Sequence, residues 1–196
     1  MPKTNPTLFN AALEPLAGKL PGDIAAAVGR AVARHAYLDW LLGQVLYELL
    51  GISIKQGRAV VKRPAPAHYV AAIQGLYAHH KLESPFPFAR LCEAVERADA
   101  ARDTLVDSVY MHDAERKRSP VYLVRGSWAR GVDLDTVSRD AWPQAPVLDA
   151  RLLRRFRDDI DAAVARAERL RDTTDTLLRR LHEQRRTNPR LNRRRK

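Results

Sequence analysis

Cysteine is almost absent from this 196-residue chain: the lone Cys92 excludes an intramolecular disulfide and a cysteine-rich zinc site, and it fits a reducing compartment. No apolar run reaches the roughly 20 residues that a membrane span requires. The most apolar stretch, residues 36–50, is interrupted by Asp39, Gln44 and Glu48 and reads as a buried helix. The first ten residues carry one lysine, two prolines and no apolar core of the kind a signal peptide needs, so a cytoplasmic protein is expected. A glycine-rich phosphate loop, a His-Glu-x-x-His helix and a Gly-x-Ser-x-Gly elbow are all missing, which disfavours P-loop, zinc-protease and α/β-hydrolase chemistry. His79 and His80 are adjacent, so on a helix they point about 100° apart and do not share an ion. They read as surface residues at a helix end, where partial positive charge suits the macrodipole. Neither a metal nor another cofactor is expected.

Acid is missing from the final twelve residues, Arg185 to Lys196, which hold seven basic side chains. The whole chain has 34 Lys/Arg against 23 Asp/Glu, a net charge of +11. From Arg151 onward there are 16 basic and 7 acidic residues, a net of +9, whereas the preceding 150 residues hold 18 and 16 and are nearly neutral. Such an asymmetry marks a surface that neutralises phosphates and releases their counterions. The candidate contacts are Arg179, Arg180, Arg185, Arg186, Arg190, Arg193, Arg194, Arg195 and Lys196, with RNA favoured over DNA. The tail lacks the bulky apolar residues that a membrane-surface helix would bury, so no membrane partner is expected.

Periodicity predicts a mainly α protein: a helical bundle with a small β-hairpin and a long C-terminal helix. Residues 1–20 read as an N-terminal extension, 21–184 as the helical domain with its hairpin near 108–125, and 185–196 as a basic flexible tail. Pro21-Gly22-Asp23 signals a helix start, with Asp23 available as a cap, and Gly51 signals its stop. The seam between them runs Ile24, Val28, Ala31, His35, Leu38, Leu42, Val45 and Leu49. A short turn over 52–61 and Pro64 and Pro66 precede a helix over 67–81 with Tyr69, Val70, Ile73, Leu76 and Tyr77 inward. The next helix, 87–107, has the seam Phe88, Leu91, Val95, Ala98, Arg102 and Leu105. Arg102 is the odd member, either paired with a carboxylate such as Asp99 or aimed into a functional cleft. Runs 108–112 and 121–125 are β-prone. Residues 130–146 read as irregular, with Trp128 and Trp142 expected to pack on the bundle. The last helix begins near Leu148, capped by Asp149, carries a heptad from Leu153 to Leu181, and as one helix spans about 36 residues or roughly 54 Å. A rod of that length is able to recruit a second chain.

The stretch Glu96-Arg97-Ala98-Asp99-Ala100-Ala101-Arg102-Asp103-Thr104-Leu105-Val106-Asp107, a tyrosine-bearing hairpin and Val124-Arg125-Gly126-Ser127-Trp128 together resemble the HEPN superfamily. Ile52-Ser53-Ile54-Lys55-Gln56-Gly57-Arg58 is similar to the connecting turn after the first long helix of such proteins. The likeness is a scattered pattern over residues 24–128. It implies a helical bundle that forms a homodimer and, in active members, RNA cleavage without a metal by an Arg and a His of an Arg-Asn-x-Leu-x-His motif. Carried over by position, Arg102 matches the arginine, Asp103 stands at the asparagine and Asp107 at the histidine.

That last departure bears directly on chemistry. Metal-free cleavage needs a group that moves protons near neutral pH, which histidine does and an exposed aspartate, ordinarily near 3.9, does poorly as an acid. His112, if the hairpin folds it back, or His35, if it faces Arg102 from the first helix, are the candidates to take over, although a hydrogen-bonded core histidine is the ordinary account of His35. Three readings follow: a nucleic-acid-binding HEPN-like protein with weak or absent catalysis; an active metal-independent endoribonuclease of a toxin or phage-defence type using Arg102, Asp107, His112 or His35; and a protein-protein scaffold built on the C-terminal heptad helix.

Overall fold

A computed structural model of the chain describes residues 13–16, 20–60, 66–113, 120–125 and 147–187. These residues form five helices and a small antiparallel sheet, in the order β1 (Leu13–Pro15), α1 (Gly22–Leu50), α2 (Ile54–Val60), α3 (Pro66–His80), α4 (Phe88–Val106), β2 (Ser108–Asp113), β3 (Tyr122–Arg125) and α5 (Ala150–Thr187). The fold is the mainly helical one that periodicity predicts, with a hairpin and a long C-terminal helix. Two compact units are distinguishable: residues 1–32 with 100–158, and residues 33–99 with 159–196.

The first unit contains the sheet, ordered β1-β2-β3 with both pairings antiparallel. Its hairpin pairs Ser108 with Arg125 and Met111 with Tyr122. The third strand, β1, pairs Glu14 with His112 and was not anticipated, because three residues ending in proline carry no alternation to read. Ala101, Leu105, Met111, Val121, Tyr122, Leu123 and Leu148 are buried here. The Tyr110 hydroxyl donates to the Leu105 carbonyl at 2.5 Å, so β2 caps one of the last carbonyls of α4. Asp149 Oδ1 accepts the Leu152 amide at 2.7 Å, the cap expected for α5. At the start of α1, by contrast, the helix begins two residues earlier than a cap at Asp23 implies, and Asp23 lies inside the first turn.

The second unit is a helical bundle. Leu38, Leu42, Val45 and Leu49 from α1, Tyr69, Val70, Ile73 and Tyr77 from α3, Leu91, Ala94, Val95 and Ala98 from α4, and Ile160, Ala163, Val164, Ala167 and Leu170 from α5 form its core. The middle members of the predicted seams are the buried stripes, whereas outer members such as Ile24, Val28, Leu153, Phe156, Leu177 and Leu181 are only half-buried, and α4 carries a correction. The stripe passes from Ala98 through Ala101 to Leu105, and Arg102 lies beside it with its side chain 42% exposed. Four then three through Arg102 and three then four through Ala101 fit the helical period equally, so spacing alone does not separate the two positions and burial of the small apolar Ala101 does.

Helix ends follow local chemistry. Gly51, at φ 66°, closes α1 with Gly51 N donating to Glu48 O and Ile52 N to Tyr47 O, the paired bonds of a Schellman motif. What the sequence reading took for a turn at 52–61 is the helix α2, opened by a reciprocal capping box: Gln56 N donates to Ser53 Oγ while Ser53 N donates to Gln56 Oε1 at 2.9 Å. Pro66 opens α3 at a position where no amide donor is needed.

Candidate nucleic-acid interface

The motif-like residues are distributed over both units. In the first, Arg102 Nη1 donates to Asp103 Oδ1 at 2.6 Å, a pairing with its sequence neighbour rather than with Asp99. Asp107 is exposed and sits just after α4, where its amide still bonds to Asp103 O at 2.8 Å. A carboxylate there faces the negative end of the helix dipole, an unfavourable placement that a histidine would reverse. His112 is half-buried on β2, in register with Glu14.

In the second unit His35 Nε2 donates to Asp99 Oδ1 at 2.7 Å, and the two side chains are only 9% and 24% exposed. This bond is one of three that join the helices at one level of the bundle. Arg34 Nε reaches Asp161 at 2.9 Å between α1 and α5, and Arg97 Nε lies 3.5 Å from Asp159 between α4 and α5. Each pair among α1, α4 and α5 is thus tied by one ion pair or charge-assisted hydrogen bond. The partner of His35 is the residue that the sequence reading offered to Arg102, and no linear spacing connects α1 to α4 in a way that would have shown it.

Further along the same unit, the Tyr77 hydroxyl donates to Thr174 Oγ1 at 2.6 Å, since the Thr174 hydroxyl itself donates to Leu170 O. Glu48 stands beside this bond. Burial and the neighbouring Asp175 push its carboxyl above the ordinary range, with Arg171 pulling partly the other way. Two atoms on this side of α1, Gln44 Nε2 and Glu48 Oε2, are buried without a hydrogen-bond partner among the described residues.

The cationic surface of α5 divides into two kinds of arginine. Arg157, Arg171 and Arg179 are tied to Asp158, Asp172 and Asp175 respectively, at 2.8–2.9 Å. Arg180 and Arg186 are exposed and make no ion pair with any described residue. Of the predicted contacts, Arg179 is thus partly neutralised, the side chain of Arg185 and the residues Arg190, Arg193, Arg194, Arg195 and Lys196 lie outside the description, and Arg180 and Arg186 are presented to solvent. The segment containing Trp128 and Trp142 is likewise outside the described residues. Among those described, no group of three or more His, Cys, Asp or Glu side chains is placed to hold a metal, and no helix is long and apolar enough to cross a membrane.

Comparison of the chain with protein-family models, with curated proteins and with solved structures finds no match.

Proposed function

We propose that this is a HEPN-like helical protein that binds nucleic acid, RNA in preference to DNA, and has weak or absent catalysis. The observation that carries the binding half is the imbalance of charge at the C-terminal end: beyond Asp175 the sequence holds nine basic residues and a single acid, Glu183, and the described arginines Arg180 and Arg186 stand free of carboxylate partners among the described residues. Phosphate contact by such residues supplies affinity without reading sequence.

The catalytic half is weakened by the motif positions themselves. Asp107 places a carboxylate where the motif has an imidazole, and its negative charge would lie beside any bound phosphate. Arg102, which would steady that phosphate, already spends a nitrogen on Asp103. His35 is held by Asp99 in the way a general base is oriented, and this bond is what favours the endoribonuclease as a second reading; its side chain is nevertheless nearly buried.

Incubating the purified protein with mixed cellular RNA in EDTA, with binding and strand integrity read from the same samples, tests both halves. Intact RNA together with binding supports the proposal. Cleavage that Arg102→Ala abolishes would establish the ribonuclease instead, and absence of binding would reject both.

A further inference from the structure

We propose that α2 is a second phosphate-binding element, and that Lys55 and Arg58, with Lys81 and the exposed arginines of α5, form one cationic surface at one end of the second unit that grips the RNA backbone. This rests on the nucleic-acid reading above and names a surface that the C-terminal charge alone does not reveal.

The sequence contains a second acid-free region besides the tail. From Leu49 to Leu82, 34 residues, there is no aspartate or glutamate, while Lys55, Arg58, Lys62, Arg63 and Lys81 contribute five positive charges and His68, His79 and His80 three imidazoles. The near-neutral total for the first 150 residues conceals it. Within the described part of this stretch, Lys55, Arg58 and Lys81 are exposed and make no ion pair with any described residue.

The fold brings this region to the same end as the basic part of α5. His80 Nε2 donates to Leu49 O at 3.1 Å, placing the last turn of α3 against the last turn of α1. Tyr77 bonds Thr174, and Glu48 feels Asp175 and Arg171, so both helix ends lie level with residues 171–175 of α5. Because Arg34 meets Asp161, while the α3 turn whose His80 meets Leu49 also meets Thr174 through Tyr77, α5 runs parallel to α1 here and continues past its end. Twelve residues separate Thr174 from Arg186, about 18 Å of further rise.

Specific contacts place α2, and they distinguish it from a solvated loop of like charge. Its N-terminus is fixed by the Ser53–Gln56 capping box, and Gly57 lies so close to the buried Tyr47 ring that an added Cβ would stand 2.6 Å from the ring's Cγ. The helix is therefore seated on α1 through its glycine, with Ile54, Lys55 and Arg58 facing outward. Lys81 adds a further oddity. It occupies the left-handed position after α3 at φ 56°, with Lys81 N bonded to Ala78 O and Leu82 N to Tyr77 O, where glycine is the usual residue. Exposed lysine and arginine side chains reach phosphates, and contacts of that kind are tolerant of base sequence.

The test is a salt titration of RNA binding by the full chain, using a mixed-sequence single-stranded RNA and the double variant Lys55→Gln/Arg58→Gln. A second double variant, Arg30→Gln/Arg154→Gln, makes the same change in net charge on exposed residues of the other unit. Loss of two phosphate contacts lowers the steepness of log affinity against log salt by about 1.4, at roughly 0.7 per contact for a single strand. The α2 variant is expected to show that loss with an unchanged thermal midpoint, and the control to keep the parent slope. An α2 variant with the parent slope, or a control that loses as much, overturns the placement while leaving RNA binding itself intact. A parent protein that binds no RNA removes the functional reading and this inference together.

Discussion

At the scale of single residues, Asp107 decides most about chemistry. It stands where the resembled motif has histidine, it is exposed, and it lies at the negative end of α4. Asp107→His is expected to stabilise the protein by about 0.3–1 kcal/mol through the dipole alone, measurable by denaturant titration. The same variant is expected to gain metal-free cleavage of RNA over the parent, and a stable variant without any such gain would count against descent from a catalytic motif. Glu48 makes a second prediction, about pH. Burial and Asp175 raise its carboxyl above the ordinary value of 4.5, so the folded chain binds that proton more tightly than the unfolded chain does. Its contribution to stability is then fully present below the ordinary value and is lost as pH rises through the raised one. Glu48→Gln keeps the shape without the charge. Thermal melts across pH 4 to 7 are expected to show a flatter profile for the variant and, at neutral pH, a midpoint about 2 °C above the parent.

At the scale of elements, much of the helical framework was legible and the reasons are physical. Long amphipathic segments announce themselves, so the central inward residues of α1, α3 and α5 are legible in the sequence, as is the stop at Gly51, while the outer ends of the α1 and α5 seams are only half-buried. Shorter elements depend on contacts that a linear reading does not contain. The helix α2 reads as a turn in the sequence because seven residues are too few to show a period, although Ser53 and Gln56 spell its capping box. Strand β1 was missed because its only recommendation is a neighbour, β2, nearly a hundred residues away. Arg102 was assigned to the α4 stripe by one step of four where Ala101 takes the position. For α2 the consequence is testable: Gly57→Ala would push a methyl to 2.5 and 2.6 Å from Cε1 and Cγ of Tyr47. An overpacking cost of about 1–3 kcal/mol is expected in urea unfolding, with RNA affinity reduced as α2 is displaced. A variant of parental stability would show that the α2 seat is loose.

At the scale of the whole molecule, charge was legible only where it was concentrated. The C-terminal excess stood out, but the acid-free region from Leu49 to Leu82 was masked by acids elsewhere in the same count, and only the packing of α3 against α1 brings its cations to the end from which α5 continues. The pairing of His35 with Asp99 was illegible for a similar reason, since it depends on which helices lie side by side. The central claim is that this protein meets RNA through phosphates. The most direct test is the affinity of the full chain for single-stranded RNA as salt rises from 50 to 200 mM in EDTA. With six or more contacts, affinity is expected to fall by roughly a thousandfold or more for B-form duplexes and somewhat less for single strands, with the RNA intact throughout. Affinity that stays level across that range would contradict the account.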